Sequence, residues 1–324
     1  MSDASSSPAP GAAAGEGAAM EAASRCTVVG IDLGGTKLAG GLARLDGTLL
    51  AREEVLTLPA SQQSALSQIA DMVLRLAGAA GVERRSIAAL VVGVPAVVSP
   101  QTGLASLSPN LALPADRPLS RLLEEALGLA VAVENDVNLA AFAEARAGQG
   151  QASLAFVSFG TGVGMGLVVD GQLMRGANGR AGEIGFLPIG ATPHAVAGQS
   201  VNGLLEDEIG TAALRRRHAS RWPDMRDLFS ALRAGDDAAL AALDDLACTA
   251  SIGIAAIQTL IDPALTVIGG GIGSQPEFLA ALRRHVAALL PFECRLAESR
   301  FGAEAGMIGA VMMACELARQ GRVS

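Results

Sequence analysis

The sequence predicts an α/β protein made of two domains, and three observations lead to this prediction. The chain has 324 residues, whereas a single domain usually takes about 100–200 residues. Short apolar strands alternate along it with segments of helical periodicity, and each half opens with a strand, a glycine-threonine turn and a second strand. Aromatic residues make up only 3% of the chain, which favours helices packed closely on sheets.

The first half begins with a strand, a tight turn and two further strands. Residues 26–33 are apolar and β-branched and predict a buried strand. Gly34-Gly35-Thr36-Lys37 forms the predicted turn, and strands follow at 38–45 and 48–57. A helix containing residues 65–76 and a strand at Ile87–Val94 are predicted next, followed by a loop at 99–114. A helix from about Leu119 to Leu127, a strand at 130–133 and a helix that follows Asp136 to about Ala147 complete this half.

The second half repeats the opening pattern. A predicted strand at 153–159 leads into the turn Gly160-Thr161-Gly162 and a strand at 163–170, so we interpret the two halves as a repeat of architecture. The remaining predictions are a loop at 176–203, helices over 204–260, a strand at 264–268, a glycine cluster at 269–273 and a helical remainder that includes 306–318.

Composition excludes several classes of protein. The net charge of −8 argues against a nucleic-acid-binding surface, which needs a basic patch. The four cysteines are widely spaced and form no CxxC pair, which predicts free, buried thiols. Residues 1–25 are small, polar and rich in Gly and Pro, and they predict a disordered tail and no signal peptide. We find no membrane-spanning stretch in the sequence and expect a cytoplasmic protein.

Three glycine clusters suggest nucleotide binding. Glycines after a buried strand let backbone N–H groups approach a phosphate closely, and Thr36 and Lys37 add a hydroxyl donor and a cation. Asp32, at the end of the strand, is predicted to hold Mg²⁺ through water. The spacing matches neither a Walker A loop nor a dinucleotide fingerprint, and a plain hairpin remains an alternative for this motif alone. The other clusters provide the further predicted nucleotide contacts Gly160, Thr161, Gly162, Gly270 and Gly271.

The segment Glu134-Asn135-Asp136-Val137-Asn138 suggests proton transfer. It follows a buried strand and opens a helix, where one Asp or Asn would serve as an ordinary N-cap. Two carboxylates and two amides exceed what a cap requires. A carboxylate in a cleft can take the proton of a sugar hydroxyl while a neighbouring amide binds another hydroxyl.

Taken in order, these motifs resemble the ROK family of ATP-dependent sugar kinases and sugar-responsive repressors. The resemblance covers about residues 26–318. It implies an actin/hexokinase-like (ribonuclease H-like) fold whose two domains close on ATP, Mg²⁺ and a sugar, with domains at 26–134 and 135–305 and the helix 306–324 packed on the first. It also implies a homodimer. The resemblance makes Asp136 the catalytic base and Asn135, Glu183 and Glu206 the sugar ligands.

The sequence departs from the family at its zinc motif. ROK kinases usually carry a GEIGH sequence whose histidine contacts the sugar and binds zinc, followed by a cysteine-rich segment. Here Phe186 takes the histidine position and no cysteine follows, so we expect a protein without zinc. His194 lies nearby in the sequence, and an exposed loop histidine is the favoured interpretation.

Two other functions are alternatives at the level of sequence. The first is a sugar-binding regulator with weak or no kinase activity. Family repressors carry an N-terminal helix-turn-helix, and residues 1–25 are too short and too poor in apolar periodicity to form one. The second is a chaperone-like ATPase, which would need a substrate domain that this length does not accommodate. A cytoplasmic sugar kinase is therefore the favoured prediction.

Overall fold

The computed structural model describes residues 26–107, 111–218 and 221–320. The tail predicted at 1–25 lies outside the described residues, as do residues 321–324 of the predicted C-terminal helix.

The first sheet has five strands in the order β3-β2-β1-β4-β7. Its strands are β1 (Thr27–Leu33), β2 (Lys37–Arg44), β3 (Leu49–Leu56), β4 (Ile87–Val94) and β7 (Ala130–Asn135). The first three pair antiparallel, whereas β4 and β7 run parallel to β1. The predicted strands of this half are confirmed, although β7 extends two residues further and so carries Glu134 and Asn135 to the end of the sheet. A two-stranded ladder pairs β5 (Val97–Val98), directly before the predicted loop, with β6 (Ala105–Ser106) inside it.

The second sheet has the same topology in the order β10-β9-β8-β11-β12. Its strands are β8 (Leu154–Phe159), β9 (Val163–Val169), β10 (Gln172–Leu173), β11 (Leu265–Gly269) and β12 (Leu296–Glu298). Here too the first three pair antiparallel, and β11 and β12 run parallel to β8. The predicted repeat of architecture is thus present in the described structure. The prediction that only helices follow residue 273 was wrong, because β12 is too short to show alternation.

Helices cover both sheets. They are α1 (Ala65–Ala80), α2 (Leu119–Leu127), α3 (Asp136–Ala143), α4 (Pro193–Val196), α5 (Leu204–Ile209), α6 (Thr211–His218), α7 (Met225–Arg233), α8 (Asp237–Ile261), α9 (Gly270–Gly273), α10 (Pro276–Leu289) and α11 (Ala305–Gln320). Two of these differ from the predictions. The helix expected to reach Ala147 changes into a π-helical turn at Glu144–Gly148, and the expected loop at 176–203 contains α4.

Two helices lie where the halves of the chain meet. The helix α11 packs on β1, β2 and β4 of the first sheet, and α3 packs on β8 and β9 of the second. The two helices also pack on each other. At that contact Gly309 lies against the backbone of Leu139, where a Cβ would collide with the Leu139 carbonyl. The N-terminal ends of α3 and α11 therefore reach the region between the sheets.

The apolar residues form one main core on each sheet. The first lies between its sheet and α1 and α2, and the second between its sheet and α8 and α10. The helix α8 is long and apolar enough to cross a membrane by composition, but half of its most apolar window is buried in the second core, as expected for a core helix. Cys248, on the same helix, is exposed, so the prediction that every cysteine is buried was wrong.

Candidate active site

The first glycine turn lies at the end of β1. The Gly34 N–H donates to the Lys37 carbonyl at 2.9 Å, and Thr57 closes the turn by donating its hydroxyl to the Gly34 carbonyl at 2.8 Å. Gly35 and Thr36 are exposed, so their N–H groups can reach a ligand. Lys37 instead forms an ion pair with Glu54 on the neighbouring strand, at 2.8 Å. Its ammonium group is thus already partly neutralised.

The second and third glycine clusters meet at the ends of β8 and β11. The Gly160 N–H donates to the Gly162 carbonyl at 3.0 Å, which forms the turn, and Thr161 at its tip is exposed. A Cβ at Gly160 would lie 3.4 Å from the Gly271 nitrogen. Gly270 has φ +83° and packs against Phe159, a conformation and an approach that a side chain would prevent. The structure therefore joins these two clusters into one surface of the second sheet.

A pair of aspartates lies between the halves. Asp32 is the last residue but one of β1, and Asp136 is the first residue of α3. Burial raises the pKa of Asp32 to about 6, opposed by the charge of Lys37. Burial also raises the pKa of Asp136 to about 8, and the nearby charge of Asp32 adds to this. Because two such carboxylates repel each other, the pair retains a proton close to neutral pH unless a cation compensates their charge.

The surroundings of this pair suit a cation. The Asp32 Oδ1 atom is buried and has no hydrogen-bond partner among the described residues. A Cβ at Gly306, the second residue of α11, would lie 2.6 Å from Asp32 Oδ2. Sequence reasoning missed this contact, because nothing in the sequence indicates which glycine approaches a distant side chain. An unpaired carboxylate oxygen beside a second carboxylate is a donor set that Mg²⁺ accepts.

Two glutamates extend the acidic site towards the second sheet. Burial raises the pKa of Glu183, and the charge of Arg180 opposes this effect. Burial also raises the pKa of Glu206, whose Oε2 accepts the Val163 N–H at 2.7 Å beside the second glycine turn. The charge of Glu183 raises the pKa of both Asp136 and Glu206. Glu183 therefore belongs to the same acidic environment as Asp136 and Glu206.

Asn135 serves as the N-cap of α3. Its Oδ1 accepts the Asn138 N–H at 3.0 Å, and its Nδ2 donates to the Ala96 carbonyl at 3.3 Å. The capping role that the sequence allowed is therefore real. Capping holds the Asn135 amide at the start of the helix, directly beside Asp136.

The segment in the family's zinc position is exposed. The Phe186 side chain is 44% exposed, and His194 is also exposed. Among residues 26–107, 111–218 and 221–320, no group of three or more His, Cys, Asp or Glu side chains could hold a metal ion. The expectation of a protein without zinc stays a prediction.

Comparisons with known proteins identify relatives of this chain. A model of the ROK family matches residues 28–316. The bifunctional enzyme NanE/NanK of Brucella melitensis is 35% identical over 89% of this chain and 54% of that enzyme, so the chain spans about half of its length. The N-acetylmannosamine kinase of Shigella flexneri is 32% identical over 89% of this chain and 98% of that kinase.

A solved structure supports the fold. It is a ROK family glucokinase from Streptomyces griseus in complex with glucose and AMPPNP, 28% identical, with a TM-score of 0.73 over 91% of this chain and 100% of that one. The predicted actin/hexokinase-like fold is confirmed by this match. Because the family model covers most of the sequence, the chain belongs to the ROK family.

Proposed function

We propose that this protein is an ATP-dependent sugar kinase that transfers the γ-phosphate of ATP to a hydroxyl of a hexose or an N-acetylated hexose. The observation that carries the proposal is the Asp136 carboxylate at the start of α3, whose pKa is raised by burial and by the charges of Asp32 and Glu183. A base with a pKa near neutrality suits the removal of a hydroxyl proton. The kinase names and the ligands of the relatives support the same chemistry.

The proposed reaction assigns one role to each group. The Asp136 carboxylate takes the proton of the acceptor hydroxyl, whose oxygen bonds to the γ-phosphorus while the bond to the bridging oxygen of ADP breaks. Asn135, Glu183 and Glu206 bind other hydroxyls of the sugar and so orient the attacking oxygen. Such positioning is the main contribution of a protein to phosphoryl transfer.

The nucleotide is proposed to lie across the glycine clusters. Gly34, Gly35 and Thr36 on one side and Gly160, Thr161 and Gly162 on the other offer N–H and hydroxyl donors to the phosphates. Gly270 and Gly271 leave room for the adenosine.

Charge around the phosphates is proposed to be balanced by two cations. When bound near Asp32, Mg²⁺ would neutralise phosphate charge and the repulsion within the aspartate pair. Lys37 contributes its charge from a distance, since it is paired with Glu54.

The wider proposal concerns organisation and setting. We place the domains at 26–134 and 135–305, with α11 joined to the first, because α11 packs on three strands of the first sheet. We further propose a cytoplasmic homodimer that binds no nucleic acid, in line with the acidic net charge of −8.

A panel of about twenty sugars, including glucose and N-acetylmannosamine, tests the proposal. Each sugar is added with ATP and Mg²⁺, and ADP release and thermal stability are measured together. A ligand at a hundred times its dissociation constant stabilises a protein by about 2.7 kcal/mol. A stabilising sugar that also releases ADP supports the kinase, whereas one that stabilises without turnover supports a sugar-binding regulator. If no sugar has either effect, both functions are wrong.

A further inference from the structure

The buried Glu134, which has no assigned role so far, directly precedes Asn135 and Asp136. These two residues are proposed to bind the sugar and to take its proton. Glu134 has a side chain that is only 7% exposed, and its carboxylate accepts three hydrogen bonds. Its Oε1 accepts the Asn138 side-chain amide at 2.9 Å and the Asn135 backbone N–H at 3.0 Å. Its Oε2 accepts Nε of Arg175 at 2.5 Å.

The first two bonds attach Glu134 to the start of α3. Asn138 is in the first turn of this helix, which Asp136 begins and Asn135 caps. Because Glu134 binds the backbone of the cap and the side chain of the first turn, it restrains the position of both. A charged acceptor also forms stronger hydrogen bonds than a neutral one.

The third bond attaches the same carboxylate to the other half of the chain. Arg175 follows β10 of the second sheet and begins the segment 175–183, which ends at Glu183. The Arg175 carbonyl accepts the Ala181 N–H at 3.1 Å, so the segment folds back on itself. An ion pair at Arg175 therefore fixes the base of the loop that carries Glu183.

Two further contacts place this loop on the first half. The Gln101 side-chain amide donates to the Ala177 carbonyl, and a Cβ at Gly179 would collide with the Val98 carbonyl. Although the chain enters segment 175–183 from the second sheet, the loop is docked on the first half at three places.

We propose that Glu134 and Arg175 form a positioning pair that holds the loop of Glu183 on the start of α3, which carries Asn135 and Asp136, so that this part of the sugar site is assembled before the sugar binds. The proposal rests on the proposed kinase function. Neither side chain needs to touch the substrate. Their effect is expected on sugar affinity, because an unassembled site must be ordered when the sugar binds, and this ordering weakens binding.

Removing one partner alone would confound the test. A buried carboxylate without its arginine is strongly destabilising, so a lower affinity could reflect damage to the fold. The double substitution Glu134→Gln with Arg175→Met avoids this. The side-chain carbonyl oxygen of the introduced glutamine can still accept from Asn138 and Asn135, and methionine keeps much of the side-chain length while losing the charge. Only the connection between the two segments is removed.

A matched control removes a surface ion pair formed by residues outside the proposed site. Arg221 and Asp236 pair at 2.8 Å on the surface of the second half, and Asp236 caps α8. Arg221→Met with Asp236→Asn keeps the cap, because asparagine is also a good N-cap residue, and removes the same charges.

Calorimetric titration of the full-length protein with glucose, N-acetylmannosamine and AMPPNP gives the decisive comparison. We expect Glu134→Gln/Arg175→Met to bind the sugar of the wild type at least about tenfold more weakly, with AMPPNP affinity and Tm close to wild type. The Arg221→Met/Asp236→Asn control is expected to bind both ligands normally.

The contradicting outcomes separate the two proposals. If the wild type binds a sugar and the Glu134→Gln/Arg175→Met variant binds it equally well, the positioning role is wrong and the kinase proposal stands. Equal losses of sugar and AMPPNP affinity would point to a structural role and also overturn the inference. A wild-type protein that binds neither sugar overturns the kinase proposal for these acceptors and the inference with it.

Discussion

At the scale of single residues, the half-buried aspartates Asp32 and Asp136 give the site its electrostatic character. Burial raises the pKa of both Asp32 and Asp136. Sequence reasoning identified these residues because Asp32 lies at the end of a buried strand before a glycine turn, and Asp136 follows a strand at the start of a helix. It could not identify the ion pair between Lys37 and Glu54, or that between Arg175 and Glu134, since side-chain pairing across strands and loops depends on register and packing.

The raised pKa of Asp136 makes stability depend on pH. The folded protein holds this proton up to about pH 8, whereas the unfolded chain loses it near pH 4. Between these values the folded state binds more protons, so the free energy of unfolding falls as pH rises. Asp136→Asn removes the buried charge while its Oδ1 can still accept the Val137 N–H. As the pH rises from 5 to 8, we therefore expect the free energy of unfolding of the variant to increase relative to that of the wild type by at least about 1.4 kcal/mol.

Denaturant unfolding at the two pH values checks this expectation. Asp170→Asn serves as the control for removing an aspartate charge. Asp170 is an exposed turn residue with positive φ, a conformation that asparagine tolerates. A difference between Asp136→Asn and wild type that is the same at pH 5 and pH 8 would mean that Asp136 is not a buried, titrating carboxyl.

At the scale of elements, the sequence predicted the strands well and the connections less well. The strand Ile87–Val94 and the helix Leu119–Leu127 were predicted to the residue, because a proline or glycine ends each pattern. The strand β12 was missed because three residues show no period. The π-helical turn after α3 was missed because it arises from tertiary contacts: Glu144 accepts the Ser299 hydroxyl at 2.6 Å and the Phe301 N–H at 3.1 Å.

The π-helical turn requires a small residue at position 148. A Cβ at Gly148 would collide with Glu144 Oε2 and lie 3.2 Å from the Phe301 ring. Because Ser299 and Phe301 hold Glu144 through its other oxygen, the carboxylate cannot move freely. We expect Gly148→Ala to lower the free energy of unfolding by about 1–3 kcal/mol, the usual cost of overpacking.

The matched control for this substitution is Gly78→Ala. Gly78 lies within α1 with open space around its Cβ position, so alanine there is expected to stabilise by about 0.5–1 kcal/mol. Urea unfolding of both variants measures the two effects. A neutral or stabilising Gly148→Ala would show that the turn relaxes easily.

At the scale of the whole molecule, two sheets of the same topology each contribute one glycine turn to the proposed nucleotide site. The repeat could be predicted from the sequence because strand, glycine turn and strand recur in order. The packing of α11 against the first sheet could not be derived from local patterns, and only the family resemblance implied it. The helix α11, from the C-terminal part of the chain, brings Gly306 against Asp32 of the first strand.

This arrangement predicts coupling between the two ligands. If the sugar and the nucleotide each favour a closed arrangement of the halves, each should strengthen binding of the other by the same factor. Titrating the sugar with and without AMPPNP, and AMPPNP with and without the sugar, measures both factors. We expect a common increase of about fivefold or more, the lower end of typical coupling energies. If each ligand binds with the same affinity in the presence and in the absence of the other, the two halves act independently.

Turnover and sugar binding, measured together in an Asp136 variant, show whether this carboxylate takes the proton of a sugar hydroxyl. ADP release is followed for wild type, Asp136→Asn and the control Asp170→Asn, with a sugar found to stabilise the wild type, while sugar binding is measured calorimetrically in the same preparations. We expect Asp136→Asn to lose about 10²–10⁴-fold or more in turnover and to keep its sugar affinity largely intact, whereas Asp170→Asn keeps both. Turnover by Asp136→Asn at the wild-type rate would show that Asp136 is not the base.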